Sequence, residues 1–312
     1  MGEVEPMRAF ARHIFTALIT LFCISLLNFV LMKLVPGGPF DGGREPPPEV
    51  MQAVKEKFKL HLPWYQQYLH YMKDLIFHFD MGPSLQYIGE KVSSIISKKV
   101  LVSLELGLYA LSIGVFFGIF LGSMAAYRRG RWEDLSAMTI AVAGVSLPSF
   151  LFGALAILFF CQYLNWLPSA FWDGWSHKIL PSFVLGFRPM AIIARQTRSS
   201  VLENLKLDYI RTARAKGLNE SKVLFIHTLK NSLLPVLALL APLSAQILTG
   251  SFVIEYMFSV PGLGGHYVNA VLNRDYPLIM GVTLLYAVFL VSASMGTDIL
   301  YTFLDPRVKQ KT

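Results

Sequence analysis

Leu101-Val-Ser-Leu-Glu-Leu-Gly-Leu-Tyr-Ala110-Leu-Ser-Ile-Gly-Val-Phe-Phe-Gly-Ile-Phe120-Leu-Gly-Ser-Met-Ala-Ala126 holds one charged residue, Glu105, in 26 positions. A bilayer-spanning helix needs roughly 20 mostly apolar residues, and this stretch supplies them. Five further windows do the same, at about 14–35, 135–163, 179–200, 233–257 and 278–303. The window at 179–200 is the weakest, because Arg188, Pro189 and Arg195 lie in it, and five spans is the competing count. With 54% hydrophobic and 15% charged residues, the 312-residue chain carries more apolar surface than one soluble core can bury. The expected fold class is an all-α integral membrane protein with six transmembrane helices.

Orientation follows from basic residues in short loops. One side collects sixteen Lys and Arg, the opposite short loops only Lys178 and Arg274. The basic side carries both termini and the loop after the fourth window, so both termini are expected in the cytoplasm. The long segment 36–100 is then external. The resulting order is a cytoplasmic N-terminus at 1–13, a first helix at 14–35 and the external segment at 36–100. A five-helix core follows at 101–303, with a cytoplasmic loop at 201–232, and a cytoplasmic C-terminus at 304–312. The run from Ile14 to Val35 reads as a retained helix, not a cleaved signal. Met1-Gly2 opens a myristoylation-like string, but Pro6 stands where Ser or Thr is required.

In the external segment, Val35-Pro-Gly-Gly-Pro-Phe40 and Pro46-Pro-Pro48 precede helically spaced Val50, Val54 and Phe58, then Trp64, Tyr65, Tyr68, Met72, Leu75 and Ile76. A small cap packed on the bundle is favoured over a separate ligand-binding domain. The formal charge of +8 is explained by orientation and does not indicate nucleic acid. Cys23 and Cys161 lie in apolar runs and read as buried thiols. The sequence contains no G-x-x-x-x-G-K-[ST], H-E-x-x-H or G-x-S-x-G string, so no P-loop, zinc protease site or serine elbow is expected. No catalytic residue, metal or cofactor is assigned to this chain.

The loop Asp208-Tyr-Ile-Arg-Thr-Ala-Arg-Ala-Lys-Gly217, followed by Leu-Asn-Glu-Ser-Lys-Val-Leu-Phe-Ile-His227, is too long and patterned for a turn. Gly217 suits a helix stop, Asn219 can cap a second helix, and Val223, Leu224, Ile226 and Leu229 form an apolar face. Two short helices meeting at Gly217 are predicted. They serve either as a knob for a soluble partner or as a basic interfacial helix on anionic lipid. Glu105, Arg188 and Glu255 are the polar groups inside spans. Arg188 and Glu255 are candidates for a gate or pore, against an interhelical structural role, and Glu255 leans to structure or gating. Val260-Pro-Gly-Leu-Gly-Gly265 lacks the strand and helix around it that phosphate binding needs, and reads as a hinge or re-entrant segment. Pro148 and Pro181 mark bends.

The loop resembles the coupling loop of permease subunits of binding-protein-dependent ABC importers, whose pattern is Glu-Ala-Ala, three residues, Gly. Ala213 and Gly217 match, while Arg211 and Thr212 replace the Glu and first Ala, and the expected Leu-Pro comes late, at Leu234-Pro235. The form Arg211-Thr-Ala-Arg-Ala-Lys-Gly217 looks like the oligopeptide, dipeptide and nickel branch. Leu62-Pro63 with Gln67-Tyr68, Asp80-Met-Gly-Pro-Ser84, Pro148-Ser-Phe150, Glu255, Pro261-Gly-Leu-Gly264, Asn273-Arg-Asp-Tyr276 and Asp305-Pro306 extend the likeness over nearly the whole chain. Pro39-Phe40, Pro47-Pro-Glu-Val50 and the Asp80 to Ser84 string look most like the first oligopeptide permease subunit.

The resemblance implies type I ABC importer architecture in a bacterial inner membrane. It implies a second homologous permease subunit, two ATPase subunits holding ATP and Mg, an external solute-binding protein and a peptide substrate. Arg211, Thr212, Ala213, Arg214, Ala215, Lys216, Gly217 and Leu218 then form the ATPase-coupling loop, with Ala213, Ala215, Lys216 and Gly217 as contact core. The rivals are an ion-coupled secondary transporter, which would show repeats or midspan carboxylates, and an assembly protein whose loop only recruits lipid.

Overall fold

The computed structural model describes residues 4–34, 61–87, 89–248 and 252–304, with isolated residues 52 and 56. The strings Val35 to Phe40, Pro46 to Val50 and Asp305-Pro306, with Val54 and Phe58, lie outside the described residues. The described secondary structure is helical apart from one isolated bridge between Pro83 and Lys91. The helices are α1 (Val4–Leu34), α2 (Trp64–His78), α3 (Val92–Tyr127), α4 (Trp132–Ser146) and α5 (Ser149–Ala156, running on as a π-helical Ile157–Tyr163). They continue as α6 (Trp175–Asn204), α7 (Asp208–Ala215) and α8, which winds from Glu220–Lys222 through a π-helical Val223–Thr228 into Leu229–Ser232. The last four are α9 (Leu234–Leu248), α10 (Phe252–Met257), α11 (Leu263–Leu272) and α12 (Tyr276–Leu304).

Among the described residues, three helical stretches are long and apolar enough to span alone: Arg12–Leu34, Val92–Tyr127 and Tyr276–Gly296. Two bent pairs pass together, which brings the number to five. One pair revises the window at 135–163, where α4 and α5 diverge by 115°. The cause is local: Leu147 is extended at ψ 129° ahead of Pro148, which disfavours helical backbone before it and has no N–H to donate. The other pair, α8 and the first part of α9, bends by 47°. The window at 179–200 is α6, 30 residues long, and Pro181 and Pro189 do not end it. At 1.5 Å per residue it extends about 45 Å, enough to cross, but its cations keep it out of the apolar set. Cys23 and Cys161 are free thiols, and Cys23 is exposed because only 11% of the α1 window is covered.

The chain divides into two compact units, residues 1–102 with 262–291, and 103–261 with 292–312. In the first unit, α2 packs on α1: Ser25 Oγ and Tyr68 OH lie 2.7 Å apart, and Lys33 Nζ donates to Gln67 Oε1 at 2.7 Å. Gln67 Nε2 also donates to the Leu62 carbonyl at 2.8 Å. Tyr68 and Gln67 therefore hold α2 against α1. Asp275 is fully enclosed at the start of α12 and accepts from Ser84 Oγ, from the Gln86 N–H at 3.2 Å and from the Leu278 N–H at 3.3 Å. The strings around Ser84 and Asp275 are thus two halves of one bonded joint. Gly262 stands at the N-cap of α11, so the glycine-rich loop opens a short helix. His266 lies against Tyr87 with centroids 5.2 Å apart, and burial holds its imidazole below the usual histidine value. Its Nδ1 donates to the Gly262 carbonyl at 3.1 Å.

The second unit is built around α6, which packs against α4, α5, α9 and α10. Its tightest neighbour is α3. A Cβ placed on Gly114, Gly118 or Gly122 would come within 3.1, 2.8 and 2.4 Å of Pro189, Ile193 and the Ala194 carbonyl. On the α6 side, a Cβ on Gly186 would lie 2.5 Å from the Ala110 carbonyl. Glycines four residues apart form a stripe on one helical face, and such stripes let helix backbones meet closely in membranes. On another side of α6, a Cβ placed on Gly144 of α4 would lie 2.8 Å from that of Ala191.

Candidate functional site: an elbow on the end of α6

Two helices meet at Gly217 as the sequence predicts. Gly217 has φ +78°, its N–H donates to the Arg214 carbonyl at 2.9 Å, and the Leu218 N–H reaches the Ala213 carbonyl at 3.4 Å. This pairing is a Schellman closure, which requires a residue in the left-handed region and so favours glycine. Its apolar contact is present as well, because Leu218 packs on a cluster of Ile210, Ala213 and Val223. Asn219 caps α8, accepting the Ser221 N–H at 3.2 Å. Arg214 then bridges the two helices, with Nε and Nη2 donating to Glu220 Oε1 and Oε2 at 2.8 and 3.1 Å.

The elbow is seated on its neighbours. Leu224 packs with Ala126 of α3 and Val201 of α6. Ser232 Oγ donates to the Ser200 carbonyl at 3.3 Å, and Asn231 Nδ2 donates to Tyr209 OH at 3.2 Å. The π-helical turn is held by Thr228 Oγ1 donating five residues back to the Val223 carbonyl at 2.9 Å. One such turn inserted in a helix re-aims the residues beyond it.

Ala213 is an exception to the expected contact core. It lies inside the elbow at 6% exposure, because the closure folds Leu218 over it, so its part is internal packing. Arg211, Thr212, Arg214, Ala215, Lys216 and Gly217 are exposed, and Leu218 is half-buried. Nothing lies within 4 Å of a Cβ placed on Gly217. Lys216 makes no hydrogen bond or ion pair among the described residues. The tip Ala215-Lys216-Gly217 is therefore open, small and cationic.

Above the elbow, Arg198 of α6 grips Asp134 of α4 through two bonds, Nε to Oδ1 at 2.6 Å and Nη2 to Oδ2 at 2.8 Å. The Gly130 N–H adds a third, to Oδ2 at 3.0 Å, and Arg128 pairs with Glu133 alongside. Sequence reading missed this clamp: its partners are 64 residues apart, and the only signal was two acids opening a helix beside three arginines.

The span candidates part company. Arg188 is exposed midway along α6 and has no hydrogen bond or ion pair among the described residues. Glu255 is fully enclosed and accepts from Ser103 Oγ at 3.0 Å. Glu105 receives Lys178 Nζ at 2.6 Å, Tyr109 OH at 2.9 Å and Trp172 Nε1 at 3.2 Å. The rings of Tyr109, Trp172 and Trp175 lie 5.1 to 5.9 Å from the same ammonium, so Glu105 belongs to an interhelical pair.

Residues 118–310 match the family described as "Binding-protein-dependent transport system inner membrane component", and residues 7–87 match its N-terminal counterpart. The chain is 44% identical to the dipeptide transport system permease protein DppB of Bacillus subtilis, over 93% of this chain and 94% of that one. It is 39% identical to the oligopeptide transport system permease proteins OppB of Haemophilus influenzae and Escherichia coli K12, over 96% of this chain and 98% of each. Among solved structures it resembles a chain of the inward-facing MetNI methionine ABC transporter, with TM-score 0.56, 15% identity, and 68% and 97% of the two chains covered. A chain of an amino acid ABC transporter follows, with TM-score 0.52, 14% identity, and 67% and 93% covered. At those identities the structures speak for the fold, which is that of type I ABC importer permeases.

Proposed function

The chain belongs to the inner membrane components of binding-protein-dependent transport systems, and from that premise we propose that it is a permease subunit of an ATP-driven importer of short peptides. The observation that carries this reading is identity of 39 to 44% along almost its whole length to permeases named for dipeptides and oligopeptides. No residue pattern favours nickel over peptide. The chain is a conduit and not an enzyme, and ATP with Mg belongs to two ATPase subunits. A second homologous permease completes the pathway and an external solute-binding protein delivers the peptide. The termini and the elbow face the bacterial cytoplasm.

In this reading the open tip Ala215-Lys216-Gly217, flanked by Arg211, Thr212 and Leu218, enters a cleft of an ATPase. Closure of the ATPases moves the elbow as a unit, because the Gly217 closure, the Asn219 cap and the Arg214 bridge leave it little internal freedom. Leu224 and Ser232 pass that motion to α3 and α6. Arg188 faces the translocation path, since an exposed guanidinium amid a span is costly against lipid and is stabilised by water or an anion. Glu255 braces the bundle.

Co-purification of wild type beside Gly217→Arg in mild detergent tests this. The expected result is ATPase and second-permease chains with wild type, and loss of the ATPases alone with the variant. A solitary chain that carries substrate in ATP-free vesicles under an ion gradient would overturn it and favour a secondary transporter.

A further inference from the structure

The face of α3 opposite its glycine stripe is open. With α8 it walls a trough of about 950 Å³ whose sides include Phe116, Phe120, Leu224 and Phe225. Phe116 and Phe120 are 66% and 56% exposed. The trough follows α3 from Leu111 to Tyr127, about 24 Å at 1.5 Å per residue, which exceeds the roughly 15 Å half-thickness of a hydrocarbon core.

Its elbow end is different in character. Tyr127 and Trp132, half and three-quarters exposed, stand there in the manner of an interfacial aromatic belt. A polar recess of about 510 Å³ adjoins it, lined by Arg128, Arg129, Arg131, Arg214 and Glu220. Two of those four guanidinium groups are occupied, Arg128 by Glu133 and Arg214 by Glu220. Arg129 and Arg131 are exposed and make no side-chain hydrogen bond or ion pair among the described residues.

We propose that this trough and recess bind one anionic phospholipid of the elbow-side leaflet, an acyl chain lying along α3 and the phosphate held by Arg129 and Arg131. The shape matches an amphiphile: apolar for one leaflet's depth, aromatic at the interface, and ending on two exposed cations that act through space on Asp134 and Glu133, carboxylates already bonded to Arg198 and Arg128. Basic recesses between helices at that level are recognised places for acidic headgroups. Because Leu224, Phe225 and Ser221 of α8 form one wall, the bound lipid packs directly on the elbow and opposes its displacement. The site does not depend on what the chain transports.

The test is native mass spectrometry of the full chain with its co-purifying subunits, after exchange into nanodiscs of phosphatidylcholine with and without phosphatidylglycerol. The expected result is one retained phosphatidylglycerol per chain and a roughly thirty-fold loss of retention in Arg129→Ala/Arg131→Ala, at about fivefold per cation. Lys206→Ala/Lys230→Ala, an equal charge change on the same side, should keep it. Phe120→Gln, about 10 Å from Tyr127 along the helix, makes the exposed trough wall polar while leaving both arginines, and should weaken retention. Equal loss in the lysine pair, retention in both the arginine and glutamine variants, or a second permease chain cross-linked through Phe116→Cys would overturn the proposal.

Discussion

One helix, α3, shows two faces with opposite tolerances. Toward α6 it presents Gly114, Gly118 and Gly122, with no room for a methyl group; away from α6 it presents Phe116 and Phe120 to an open trough. The closed face specifies a single register, because small residues bring backbone against backbone and any added atom must move a carbonyl. The open face is content with any apolar neighbour. Apolarity put both faces in the membrane, but the pattern of small residues alone decides which is fixed.

Breaking the clamp beside the closed face should cost most. Asp134→Ala strands Arg198 at the clamp that holds α4 to α6, and a loss of about 3 to 5 kcal/mol is expected in unfolding by denaturant, with Arg198→Met in the same background recovering part of it. Next comes Gly122→Ala, whose new methyl would meet the Ala194 carbonyl, at about 2 to 3 kcal/mol by the same assay. At the elbow, Gly217→Ala meets nothing and pays only backbone strain of about 1 kcal/mol. Thermal melting should scarcely register it, while coupled ATPase activity falls in Gly217→Arg far more than in Gly217→Ala. Smallest is Phe116→Leu on the open face, within about 0.5 kcal/mol of wild type. A cost there as large as that of Gly122→Ala would erase the distinction between the faces.

Much of this was legible in the sequence, for physical reasons. α1, α3 and α12 follow from apolar runs, and the elbow follows from Gly217 and Asn219, because closure and capping are local chemistry. The stripe was legible too, as glycines spaced by four, although apolarity drew the reading to span length. Pro148 was seen as a bend, but its size of 115° depends on what α4 and α5 each pack against. The clamp of Asp134 with Arg198 and the joint of Ser84 with Asp275 join residues 64 and 191 positions apart, and one sequence contains nothing that pairs them. Arg188 and Glu255 looked alike as charges in spans, and only packing separates an open cation from an enclosed carboxylate. The internal place of Ala213 likewise depends on the fold-back of Leu218.

The glycine stripe also governs how force travels. With glycine on the α3 side and only the bases of Pro189, Ile193 and Thr197 interposed from α6, the contacting lengths of the two helices resist sliding and rolling, as a laminated beam does. In the proposed coupling, a stroke delivered at the elbow would be carried along that beam, and whatever yields would yield elsewhere. The 115° corner between α4 and α5 at Pro148, where the helical ladder is broken, is such a place in that coupling.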